Sequence, residues 1–144
     1  MLLIAMMHCA TCVKRSVINT SDAPAAIGPY SQGILVTLSS GDRLVHAAGQ
    51  IGLNPRTGKL VAGGIAQEAR QAMNNVEAII RATSGVTMQD VTDCVVLMAN
   101  LTEYAAFNNV YAEYFGSEPP ARAAVEVAKL PLDARVEVKC NAAA

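Results

Sequence analysis

The sequence predicts an α+β domain: a mixed β-sheet backed by two helices, in the order β-β-α-β-α-β-β. Three observations carry that expectation. Aliphatic, β-branched runs of strand length lie at both ends of the chain, two amphipathic helical patterns lie inside it, and a near-continuous apolar run separates the helices. With 144 residues, 52% of them apolar, one core suffices, and neither an internal repeat nor a second domain is evident. The domain is placed at residues 17–144, after an N-terminal extension of residues 1–16.

Val13 to Ile18 has strand composition, and Thr20 to Pro29 is an irregular entry, because its prolines and glycine remove ladder donors and permit turns. Gly33 to Leu38 and Arg43 to Ile51, separated by Ser39-Ser40-Gly41-Asp42, form a hairpin. After the Gly63-Gly64 pair, Ile65, Ala69, Ala72, Met73, Val76, Ile79 and Ile80 fall at helical spacing, with Gly85 placed to stop the helix in a left-handed cap. Val91 to Leu97 reads as a central strand covered on both faces. Thr102 caps a second helix whose apolar face runs from Tyr104 through Phe107, Val110 and Tyr111 to Phe115, and Gly116 ends it. Ala123 to Ala128 and Arg135 to Cys140 are the closing strands, with Val125 and Val127, then Val136 and Val138, as apolar faces. Helices on one side leave the other sheet face to be covered, so association through the sheet is expected.

Net charge is -1, with 11 basic and 12 acidic residues scattered along the chain, which gives a nucleic-acid partner little electrostatic support. No stretch is long and apolar enough to span a bilayer. Cys94 and Cys140 lie inside strand-like runs and read as buried free thiols of a reducing compartment such as the cytoplasm. Residues 1–20 lack Asp and Glu and carry Lys14 and Arg15 after an apolar run, a weak pattern of a mitochondrial transit peptide. Cys9-Ala-Thr-Cys12 beside His8 has metal or redox spacing, but no second ligand pair follows, so no metal site is expected.

Few polar residues occupy positions that packing does not explain. Arg122, after Pro119-Pro120, is either a bidentate grip for a small carboxylate or a structural partner of Glu126 or Glu137. Glu137, alternating with two valines, is either a water-holding base or a solvated strand carboxylate. Tyr30 is either a cleft residue or a packing aromatic, and His46 reads as a packed or surface imidazole.

Three segments then resemble the signatures of the RidA/YjgF family: Ala23-Pro-Ala-Ala-Ile-Gly-Pro-Tyr-Ser-Gln-Gly33, Ala48-Gly-Gln-Ile51, and Pro120-Ala-Arg-Ala-Ala-Val-Glu-Val-Ala-Lys-Leu-Pro131 with Val136-Glu-Val138. The resemblance covers residues 17–140 in order. It implies a chorismate-mutase-like fold and a homotrimer with clefts between subunits. It also implies hydrolysis of 2-imino acids, such as 2-iminopropanoate and 2-iminobutanoate, to 2-keto acids and ammonia without metal or organic cofactor. Under it Arg122 holds the substrate carboxylate, Glu137 orients water, Tyr30 lines the cleft, Gly49 supplies a backbone donor and Asn108 stands nearby. Ala48 and Ala124 depart from the serine and cysteine common at those positions and imply altered substrate preference. The alternatives are a keto-acid-binding regulatory trimer without turnover, or an RNA-directed translation inhibitor or ribonuclease.

Overall fold

Strand β1 (Lys14–Ile18) pairs antiparallel with β2 (Gly33–Thr37), which pairs with β3 (Arg43–Ala47) in the expected hairpin. The computed structural model describes residues 13–144. The chain continues through the two-residue β4 (Gln50–Ile51), helix α1 (Ile65–Arg81), β5 (Val91–Met98), helix α2 (Tyr104–Ala112), β6 (Ala121–Glu126) and β7 (Val136–Ala143). The sheet order is β1-β2-β3-β7-β5-β6, with β4 also on β7. Only β5 and β6 run parallel, because α2 carries the chain back between them.

Both helices cover one face. Val45, Val96, Met98, Val136 and Val138 from the strands meet Met73, Val76, Ile79, Ile80 and Phe107 from the helices in one core. The long apolar stripe of α1 explains why it lies along the middle of the sheet, and Arg70 of α1 ties α2 through a bidentate pair with Glu113 at 2.6 and 2.8 Å. The helix already ends at Arg81, with Ala82 as a right-handed C-cap, so Gly85 does not cap it; its φ of 74° instead serves the following turn, closed by the Val86 N–H on the Thr83 carbonyl.

Four further expectations are corrected. Strand β5 is central, but only one face is covered: Cys94, Val96 and Met98 are buried while Val95 is exposed. Its apolar run therefore reflects an uncovered sheet face as well as a core. Val125 likewise points away from the helices and is exposed, so the inward residues of β6 are Arg122 and Ala124. The second helix is entered by a 3-10 turn, Leu101–Glu103, capped by Asn100, whose side chain accepts from the Thr102 N–H. Cys94 and Cys140 are joined as a disulfide rather than left as free thiols. They are direct partners across β5 and β7, both facing the helices, with Cα atoms 4.1 Å apart, a rung that a sequence separation of 46 conceals. The Cys9/Cys12 pair lies outside the described residues.

Candidate functional site

Glu137 alternates with Val136 and Val138, both fully buried, so the strand pleat turns its carboxylate to the face opposite the helices. It sits across from Ile51 of β4. Where β3 breaks before β4, Gly49 passes directly over this carboxylate: a Cβ there would lie 1.9 Å from Glu137 Oε1. Only glycine allows that approach. Burial alone raises the Glu137 pKa above the ordinary carboxylate value, with neither a charge nor a hydrogen bond opposing it.

Tyr30, Ala48, Gly49 and Glu137 share an open cavity of ≈ 330 Å³ walled by Ile27 and Pro131. The backbone around it is fixed by three buried amides. Gln32 donates to the carbonyls of Thr20, Ala23 and Pro24 at 3.0, 3.1 and 2.8 Å and accepts from the Thr20 N–H, which ties down the loop carrying Tyr30. Gln50 donates to the carbonyls of Ala48 and Gly49. Asn75, wholly buried on α1, donates to the carbonyls of Ile51 and Leu53 at 3.1 and 2.9 Å and holds β4 to the helix. The Tyr30 hydroxyl accepts from the Ile27 N–H at 3.3 Å. Gln32 and Asn75 were not singled out in the sequence, although Asn75 interrupts the apolar stripe of Ala72, Val76 and Ile79, which is the signal that a buried strap leaves.

Arg122 occupies a separate cavity of ≈ 380 Å³ with Tyr104, Asn108, Tyr111, Pro119 and Pro120. Its Nη2 donates to the Tyr104 hydroxyl at 2.8 Å, and its Cζ stands 4.4 Å from the Tyr111 ring centroid. Neither structural pairing considered for it occurs: Glu126 accepts from the Leu101 N–H, and Glu137 faces the other side of the sheet. Asn108 Oδ1 and Tyr111 Oη are buried without a hydrogen-bond partner. Burial pushes the Tyr111 pKa up to about 12, against the nearby Arg122 charge, which lowers it. Ala124 follows Arg122 on the same face of β6 and packs on the core.

The structure thus gathers Tyr30, Ala48, Gly49 and Glu137 at one place and Arg122 and Asn108 at another. The two cavities share no lining residue, and their key side chains project from opposite faces of the sheet. His46 is exposed, with Nδ1 3.3 Å from Asn141 Oδ1. Among the described residues, no group of three or more His, Cys, Asp or Glu is arranged to hold a metal ion.

A sheet covered by helices on one face, with an unpaired carboxylate against a glycine and an arginine in an aromatic recess, defines an α+β protein with two candidate half-sites. The family model described as Endoribonuclease L-PSP matches residues 20–144. A curated relative from Bos taurus, 2-iminobutanoate/2-iminopropanoate deaminase, is 45% identical over 128 residues, 89% of each chain. The Homo sapiens protein of the same name is 44% identical over the same length and coverage. Among solved structures, the YjgF gene product of E. coli superposes with TM-score 0.77 at 38% identity, covering 88% of this chain and 97% of that one. The chain belongs to this family, the RidA/YjgF proteins, and its relatives at 44–45% identity are named imine deaminases.

Proposed function

We propose that this protein hydrolyses 2-imino acids, of the size of 2-iminopropanoate and 2-iminobutanoate, to 2-keto acids and ammonia. The observation that carries the reading is Glu137: a half-buried carboxylate without a partner, held against Gly49 at the edge of an open cavity. Such a group binds a water and accepts its proton. Arg122 supplies the complementary feature, a guanidinium aligned in a cavity and matched to a substrate carboxylate.

In the proposed reaction, Arg122 orients the imino acid by its carboxylate and water adds to the C=N carbon as Glu137 takes one of its protons. That proton passes to nitrogen; Glu137 then takes the hydroxyl proton and delivers it to the same nitrogen, the carbinolamine C–N bond breaks as C=O forms, and the nitrogen leaves as ammonia. Imine and water become keto acid and ammonia, so the balance closes without an oxidant or carrier. The apolar wall of Ile27, Tyr30 and Pro131 accommodates a short alkyl side chain. Ala48 lines the same space and offers no hydroxyl, which favours apolar over hydroxylated side chains.

Arg122 and Glu137 cannot both reach one small substrate within a single chain, because the sheet lies between them. A complete site therefore requires a second copy, with the Arg122 edge of one chain brought to the Glu137 face of another. A closed ring of three through the uncovered sheet face satisfies this, and it also covers Val17, Val95 and Val125, which a single chain leaves exposed.

The test generates 2-iminopropanoate in situ with an amino-acid oxidase and follows semicarbazone formation. Wild-type protein is expected to suppress semicarbazone formation and Arg122→Ala to leave it intact. Keto-acid binding by folded wild type without suppression would favour the regulatory reading instead.

A further inference from the structure

The surroundings of Arg122 do more than hold a charge near a cavity. Three aromatic rings of the α2 region, Tyr104, Phe107 and Tyr111, stand 5.5, 5.8 and 4.4 Å from its Cζ. Phe107 and Tyr111 are themselves fixed, being 0 and 5% exposed and in contact with each other at 5.6 Å between centroids. Tyr104 adds direction, since its hydroxyl accepts one Nη2 hydrogen at 2.8 Å and sets the rotation of the guanidinium plane. An arginine on an edge strand otherwise samples many rotamers, and ordering it on binding weakens the complex.

The same recess contains two buried polar atoms without partners, Asn108 Oδ1 and Tyr111 Oη, on the helix that supplies the rings. Buried oxygens are rarely left in that state unless a water or ligand completes them.

We propose that Tyr104 and Tyr111 form a clamp that orders the Arg122 guanidinium before substrate arrives, Tyr104 by its hydrogen bond and Tyr111 by stacking, leaving the remaining N–H donors for a carboxylate. Both are positioning residues: they act through Arg122 and set affinity for the acid rather than the rate of its hydrolysis. The inference deepens the proposed function and rests on Arg122 being the carboxylate anchor. Sequence spacing places Tyr104 and Tyr111 on one helical face, two turns apart, where they read as core residues. Their second role depends on β6 running beside that face.

Two readouts on the full chain test the clamp: KM and kcat for imine hydrolysis in the semicarbazide assay, and the Kd for 2-oxobutanoate by calorimetry. Tyr104→Phe is expected to raise KM and Kd together by about three- to tenfold, with kcat within twofold of wild type. Tyr111→Leu is expected to raise both by about tenfold, and Tyr111→Phe, which keeps the ring, to restore wild-type values. Thermal melts identify any loss in Tyr111→Leu that comes from unfolding, and Tyr104→Phe alters a partly exposed hydroxyl, so its result stands independently. Wild-type KM and Kd in Tyr104→Phe, or a fall in kcat at constant KM, would overturn the clamp. Failure of the underlying reading has a separate signature: Arg122→Ala would then bind 2-oxobutanoate as wild type does. If wild type binds the keto acid without turnover, the Kd series still decides the clamp.

Discussion

Glu137 and Gly49 form a pair in which the smallest side chain makes room for the group that matters. A methyl group at Gly49 would occupy the position of the carboxylate, so Gly49→Ala must displace Glu137. Turnover is expected to fall by about a hundredfold in Gly49→Ala, with the melting temperature nearly unchanged, as read by the imine assay and a thermal melt. The raised Glu137 pKa adds a pH signature. As a base Glu137 must be ionised, so kcat/KM is expected to fall with decreasing pH at a value above the ordinary carboxylate range, and Glu137→Gln to abolish that limb together with turnover. For stability the sign is reversed. A folded-state pKa above the unfolded value favours the protonated form, so the favourable contribution is present at low pH and lost as pH rises through the folded pKa. Glu137→Gln should therefore melt no lower than wild type at neutral pH. Arg122 differs in kind, for Lys cannot reproduce a planar fork stacked on Tyr111, and Arg122→Lys is expected to lose most of the affinity for 2-oxobutanoate by calorimetry.

Among the elements, β4 depends most on side chains for its place. It contains two residues, and Asn75 of α1 holds its flanking carbonyls. Asn75→Ala strands both acceptors in a dry environment and is expected to cost about 1–3 kcal/mol by denaturant titration, with a loss of turnover as Gly49 shifts. The regular elements were legible in the sequence because periodicity records them: both helices, the hairpin and the last strand stand close to where their patterns put them, while β6 starts and ends two residues earlier than expected and the strand from Arg43 breaks at Ala48-Gly49. What periodicity could not reveal is which of two apolar faces a partner covers, so Val95 and Val125 were assigned to the core and are exposed. The disulfide was hidden for a related reason, since strand order pairs Cys94 with Cys140 while neither sequence neighbourhood shows it. Alkylation under denaturing, non-reducing conditions is expected to label Cys94 and Cys140 only after reduction, as peptide mass spectrometry reports. The candidate site residues were picked out through family segments rather than spacing. Gln32, Asn75, Tyr104 and Tyr111 were not picked out in the sequence because their contacts with the candidate site arise across the fold.

For the whole molecule, the central feature is the separation of the two half-sites on opposite faces of one sheet. Under the proposed function a single chain presents a carboxylate anchor without a base and a base without an anchor, and the uncovered sheet face offers the surface through which copies would unite them. Assembly and chemistry are thereby linked, and one measurement addresses both. Arg122→Ala and Glu137→Gln chains, each inactive alone, are co-expressed and their mixed oligomers assayed for suppression of semicarbazone formation. With each site drawing Arg122 from one chain and Glu137 from its neighbour, random assembly of equal amounts restores about one quarter of wild-type turnover. Mixed oligomers that remain inactive while wild type turns over would contradict a site shared between chains.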